Sequence, residues 1–119
     1  MKYFNWFRKK TPWSPGNNFK FKKLRIVFSF TEVPQNTARD IYIVQVKNHD
    51  KWVIFMCPNN CGQRIEVNLM KVRNPRWRLQ IKKNKATLYP SVVVERCGAH
   101  FWLHGNEAEW AFFTDEISD

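Results

Sequence analysis

Three cysteines and one histidine are the residues of this 119-residue chain whose types and spacing most clearly indicate chemistry. Cys57 and Cys61 are four positions apart on a predicted turn, and Gly62 follows them with the conformational freedom that a tight knuckle requires. A second predicted turn carries Cys97 and His100, three positions apart. Thiolates and imidazole are the ligands that tetrahedral zinc prefers. The sequence therefore predicts one Zn²⁺ site with the ligands Cys57, Cys61, Cys97 and His100; the alternative is a cysteine cluster without metal.

The number of ligands decides what such a metal does. Four protein ligands close the coordination shell, and the metal is then structural. If His100 is not a ligand, three thiolates and a water remain, and Lewis-acid chemistry becomes possible. The odd number of cysteines argues against a disulfide scaffold. Because the N-terminus shows no apolar export signal, we expect a cytoplasmic protein, in which clustered cysteines commonly bind metal.

The elements that must position these side chains are short strands. Segments rich in β-branched and aromatic residues recur along the chain, with polar turns between them, and no segment has the apolar spacing of a helix beyond one turn between Thr31 and Arg39. The pattern predicts an all-β fold, a small antiparallel sheet, barrel or sandwich with the zinc site at its turns. The predicted strands are 25–30, 41–46, 51–56, 64–69, 77–81, 86–88, 91–95, 100–104 and 109–113.

Composition excludes several other classes of protein. Hydrophobic residues make up 44% and aromatic residues 16% of the chain, which is too much for a disordered basic tail. No stretch approaches the roughly 18 apolar residues of a membrane span, so no membrane partner is expected. The chain is long enough for one core of ordinary size.

Charge divides the chain into three predicted regions. Residues 1–23 form a basic, aromatic N-terminal arm, residues 24–113 a zinc-binding β domain and residues 114–119 an acidic tail. The formal net charge of +10 favours an anionic partner, either nucleic acid or an acidic protein surface. The alternative is that these charged side chains bind no partner and only keep the surface of the protein hydrated.

Four short motifs, taken together and in their order along the chain, resemble those of a family of small bacterial proteins whose genes lie beside bacterial ubiquitin-like conjugation genes. The resemblance covers about residues 24–113 and leaves the basic arm outside. Its members usually carry a further cysteine where this chain has Asn59, so that here His100 is needed to complete four ligands. The motifs are Cys57-Pro-Asn-Asn-Cys61-Gly62, Trp77-Arg-Leu, Leu88-Tyr-Pro-Ser-Val92 and Cys97-Gly-Ala-His100-Phe-Trp102.

The resemblance implies a part in a bacterial ubiquitin-like pathway, with the ubiquitin-like protein or its conjugating enzymes as partners. The implied role is a peptidase that trims or removes the ubiquitin-like protein, or a non-catalytic adaptor that binds it. For a peptidase, Ser91 is the candidate nucleophile, His100 or His104 the base, and Glu95 or Glu109 the group that orients the base. The alternative is that Ser91 is an ordinary turn residue after a proline.

Nucleic-acid binding is the competing class of function. Aromatic residues alternate with cations in three segments, a mixture that suits base stacking and phosphate contacts on a β surface. The acidic C-terminal residues and the lack of a recognised nucleic-acid motif argue against it. The segments are Trp6-Phe-Arg-Lys-Lys10, Phe19-Lys-Phe-Lys-Lys23 and Pro75-Arg-Trp-Arg78.

Overall fold

Alternating apolar and polar residues form short strands throughout the computed structural model, which describes residues 18–111. The all-β prediction is confirmed: the described residues form ten strands and one short 3-10 turn at Phe30–Glu32. Most of the predicted N-terminal arm and the whole acidic tail lie outside the described residues. The strands are β1 (Phe19–Lys20), β2 (Leu24–Val27), β3 (Ile41–Val46), β4 (His49–Met56), β5 (Arg64–Asn68), β6 (Arg78–Lys82), β7 (Lys85–Tyr89), β8 (Val92–Val93), β9 (His100–His104) and β10 (Glu107–Trp110).

The strands form two four-stranded sheets and a hairpin. One sheet has the order β2-β3-β4-β5 and the other β1-β10-β9-β8, while β6 and β7 pair with each other. All pairs are antiparallel except β2 with β3, which run parallel. No helix of the described region is long and apolar enough to cross a membrane.

Several strand bounds differ from the sequence-based expectation: the strand predicted at 91–95 spans only Val92–Val93, and the one predicted at 109–113 spans Glu107–Trp110. The strand predicted to continue to Phe30 ends at Val27, because Ser29 caps the 3-10 turn by accepting a hydrogen bond from the backbone N–H of Thr31. Residues assigned to the arm also join the β domain, since Phe19 pairs with Ala108 and Phe21 is buried in the core. A two-residue strand has too few residues to show a period in the sequence.

A single main core lies between the two sheets. On β4, Val53 and Phe55 face this core, whereas Ile54 points to a smaller cluster on the opposite face of its sheet, as the alternation of a strand requires. Phe101 and Leu103 of β9 face the same main core from the second sheet. Strand β4, which precedes the first cysteine turn, and strand β9, which begins at His100, therefore pack against each other.

The hairpin of β6 and β7 is fastened to the second sheet through Asn106. This buried residue follows β9 and has a positive φ of 67°. Its Oδ1 accepts from the backbone N–H of Ala86 at 2.7 Å, and its own N–H donates to the Ala86 carbonyl at 2.9 Å. The hairpin is thereby held beside β9.

Candidate active site and metal centre

A serine and a histidine face each other where β8 and β9 pair. Ser91 directly precedes β8, and His100 begins β9, with Val93 opposite His100 in the antiparallel register. The Ser91 Oγ lies 2.7 Å from the Nε2 of His100. With Nε2 unprotonated, the serine hydroxyl donates to it. This is the contact between a hydroxyl nucleophile and its base that acyl transfer requires.

Burial changes the pKa of the His100 imidazole. His100 is half-buried, and the loss of solvation lowers the pKa of its imidazole below the ordinary histidine value. A lower pKa keeps the ring neutral at neutral pH, so that it can accept a proton.

The second candidate base belongs to a different pair. His104 lies at the far end of β9, and its Nδ1 is 2.7 Å from Oε1 of Glu109 on β10. Glu109, one of the two candidate orienting carboxylates, thus contacts His104, while Glu95 is an exposed turn residue. The ring of His104 stacks on Trp102 with 5.8 Å between ring centroids.

The three cysteines meet at the two predicted turns. Their sulfurs all lie within 4.8 Å of one another, and the Sγ atoms of Cys57 and Cys97 are 3.7 Å apart. Two sulfurs on one tetrahedral zinc would lie about 3.8 Å apart, because each Zn–S bond is about 2.3 Å long. The spacing of the sulfurs therefore fits a metal ion. His100, the fourth predicted ligand, is not in this group and has its Nε2 on Ser91.

Backbone contacts hold the two turns together. The N–H of Cys57 donates to the Gln63 carbonyl, which closes the first turn, and Gly62 within it has a φ of +88°. Arg96 of the second turn donates its N–H to Oε1 of Gln63 and its guanidinium to the carbonyl of Cys61. The cysteines are thus brought together by the chain.

Two of the thiols influence each other's ionisation. The hydrogen bond from the Cys57 thiol lowers the pKa of Cys97, and the same contact together with burial raises the pKa of Cys57. Cys97 therefore has thiolate character, and the thiolate is the form of cysteine that binds metal.

A cleft next to Ser91 was not predicted as part of the site. It has a volume of about 430 Å³, and its lining includes two arginines and three aromatic residues. Sequence analysis noticed the segment Pro75–Arg78 as a possible nucleic-acid contact but did not connect it with Ser91. The lining residues are Arg76, Trp77, Arg78, Tyr89, Pro90 and Trp102.

The loop that brings Arg76 and Trp77 to this cleft is organised by one buried amide. The side-chain amide of Asn68 donates to the carbonyls of Met70, Arg73 and Pro75 at 3.1–3.3 Å. Its Oδ1 accepts from the N–H of Met70 at 2.9 Å. These side-chain hydrogen bonds of Asn68 hold the loop in place of the backbone hydrogen bonds that strand pairing would provide.

Comparison with known proteins gives one finding. No curated protein and no solved structure matches the chain significantly. A family model does match, over residues 29–111, which include Ser91, His100, the three cysteines and the cleft. The chain therefore belongs to the family described as the bacterial ubiquitination-like system serine protease (BubE).

Proposed function

We propose that this protein is a serine peptidase that cleaves the C-terminal tail of a ubiquitin-like protein, or the bond that joins it to a target. Ser91 is the nucleophile and His100 is the general base. The observation that carries the proposal is the 2.7 Å contact between Ser91 Oγ and His100 Nε2 in a member of a serine protease family. An adaptor would need no such contact.

The reaction follows from this pair. Ser91 Oγ attacks the scissile carbonyl carbon while its proton passes to Nε2 of His100. The imidazolium then gives that proton to the leaving amine, and the carbon–nitrogen bond breaks to leave an acyl ester on Ser91. Water, deprotonated by the same imidazole, hydrolyses the ester and restores the serine hydroxyl. The lowered pKa of His100 supports its role in the first step, because only the neutral ring accepts a proton.

A Zn²⁺ bound by Cys57, Cys61 and Cys97 is the second part of the proposal. Its fourth position would be left to water, and we assign it a structural role because Ser91 and His100 already supply the nucleophile and the base. The spacing of the sulfurs and the thiolate character of Cys97 support the binding of the metal. Three thiolates would make zinc a cross-link between the turn after β4 and the turn before β9. We assign His100 to Ser91 and not to the metal, because its Nε2 is already within hydrogen-bond distance of the serine.

The test of the peptidase uses the full chain and a ubiquitin-like protein of a bacterial ubiquitination-like system, fused at its C-terminus to a fluorescent reporter. We expect the wild-type protein to release the reporter and Ser91→Ala to lower the rate at least about 1000-fold, because the nucleophile is lost. Binding of the fusion to Ser91→Ala should remain. Ser29→Ala, which removes a hydroxyl from the cap of the 3-10 turn, is the matched control and should retain full activity.

Two results would contradict the proposal. Full cleavage by Ser91→Ala would eliminate the serine mechanism. A wild-type protein that binds the fusion with high affinity and never releases the reporter would be an adaptor.

A further inference from the structure

The cleft that adjoins the catalytic pair is connected to both of its members. Tyr89 and Pro90 of its wall directly precede Ser91, and the indole N–H of Trp77 donates to the Ser91 carbonyl at 3.1 Å. On β9, the buried residues Phe101 and Leu103 alternate with the outward residues, so Trp102 lies on the same face as His100. A chain that places its scissile bond at Ser91 therefore has this cleft beside the bond.

The charge of the cleft is positive. Arg76 and Arg78 are exposed, and within residues 18–111 neither forms a salt bridge. The guanidinium of Arg78 lies over the ring of Tyr89, 4.8 Å from its centroid, which fixes its position at the wall. No carboxylate lines the cleft among the described residues. Two arginines without acidic partners beside an apolar wall favour a ligand that carries a carboxylate.

One ring face of Tyr89 and one ring face of Trp102 are already covered by protein. Arg78 covers one face of Tyr89, and the ring of His104 stacks on Trp102 at an interplanar angle of 17°. Base stacking needs open ring faces, so these contacts disfavour a nucleotide. A volume of about 430 Å³ has room for a few amino-acid side chains.

We propose that this cleft binds the substrate segment beside the scissile bond and selects a peptide with an acidic side chain there. Arg76 and Arg78 bind the carboxylate, and Trp77, Tyr89 and Trp102 pack against the apolar parts of the segment. The proposal rests on the proposed peptidase activity, since it gives that activity its substrate preference. It makes Arg76 and Arg78 specificity-determining residues.

The experiment uses internally quenched decapeptides of Gly and Ala, amidated at the C-terminus, in which one position carries Glu. Matched peptides carry Gln at the same position, and kcat/KM is measured for each position in turn. We expect Glu to be favoured over Gln about tenfold at one or two neighbouring positions, because a charge-assisted contact is lost with Gln. Arg78→Gln should reduce the preference to less than about threefold. Lys82→Gln removes a cation from the same strand at the end distant from Tyr89, and should leave the preference unchanged.

Binding of the same peptides to Ser91→Ala, followed by fluorescence anisotropy, separates this proposal from the peptidase proposal. If the wild-type protein cleaves nothing while Ser91→Ala binds Glu peptides more tightly than Gln peptides, the cleft is supported and the activity is not. Equal cleavage and equal binding of the two peptides would overturn the cleft proposal and leave the activity standing. A preference that appears only with a free C-terminal carboxylate would also overturn it, as would an oligonucleotide that displaces the peptides and binds more tightly.

Discussion

The proposed reaction depends on the contact between the hydroxyl of Ser91 and the imidazole of His100. A serine hydroxyl is a weak nucleophile until a neighbouring base accepts its proton. The half-buried ring of His100 disfavours the charged form, which lowers its pKa and favours the neutral imidazole that can accept this proton. The hydroxyl of Ser29 instead contacts Thr31, through its backbone N–H and its hydroxyl, and among residues 18–111 it hydrogen-bonds to no imidazole. The contact with His100 distinguishes Ser91 from Ser29 and is why we propose Ser91 as the nucleophile.

Activity should persist to a lower pH than an ordinary histidine would allow. Protonation of His100 abolishes its role as base, so the acidic limb of kcat against pH reports its pKa. Since burial lowers that pKa, we expect the midpoint of the limb below about 6.5, the ordinary histidine value. The measurement is the rate of reporter release between pH 4.5 and 9 under saturating substrate.

The control for this profile is His49→Gln, an exposed histidine at the start of β4. It should leave the limb where it is. A midpoint clearly above the ordinary histidine value would contradict the assignment, because it would require a carboxylate or another charge to stabilise the imidazolium.

The sequence predicts the residues of the site, with Ser91 as nucleophile, but leaves the role of His100 open. The spacing of Cys57, Cys61 and Cys97 was enough to predict that they meet. The same reasoning placed His100 in two roles, as metal ligand and as base. The structure puts His100 on Ser91 through the register of β8 and β9, and a register cannot be read from one short strand of two residues.

At the scale of elements, the two turns that carry the cysteines determine where β9 begins. The turn after β4 closes on itself through Cys57 and Gln63, and Arg96 ties the second turn to it. His100 follows Cys97 by only three residues. A metal bound to the three sulfurs would therefore help to fix the position of His100, the proposed base.

Loss of this metal should lower stability as well as activity. We expect about one equivalent of zinc in the purified protein, and Cys97→Ser or a strong chelator should remove it. Because metal binding contributes directly to folding, the Tm should fall by about 5 °C or more. The measurements are metal content by mass spectrometry and Tm by calorimetry.

Glu95→Gln is the matched control, since it changes an exposed residue of the same turn and leaves the sulfurs intact. It should keep the zinc and the wild-type Tm. Protein that contains no metal and melts at the same temperature with and without chelator would refute the structural role.

The strands were more predictable than the loops that complete the site. Strand β9 matches its predicted bounds, because its aromatic-rich segment is closed by the turn at Gly105 and Asn106. The loop before β6 gave no such signal, since Asn68 holds it through side-chain contacts that have no period in the sequence. The cleft depends on this loop. The sequence therefore indicates two cationic residues, Arg76 and Arg78, but not the groups that lie around them.

At the scale of the whole molecule, one aromatic cluster connects the two halves of the site. Phe55 of β4 is fully buried and lies two residues before Cys57, while Phe101 of β9 is fully buried and follows His100. Their rings meet edge to face with 6.1 Å between centroids, and Phe21 contacts Phe55 at 5.3 Å. The contact joins the sheet that carries the first cysteines to the sheet that carries the base.

Removing the central ring should destabilise the whole domain. Phe55→Ala leaves a cavity between the sheets, and we expect the free energy of unfolding to fall by about 3–5 kcal/mol. Phe28→Ala is the matched control, because the side chain of Phe28 is 68% exposed, and it should cost less than about 1 kcal/mol. Urea unfolding followed by tryptophan fluorescence measures both. Equal losses of stability in the two variants would contradict a role of Phe55 in holding the two sheets together. Loss of zinc from Phe55→Ala protein that is still folded would indicate that packing between the sheets also positions the two cysteine turns.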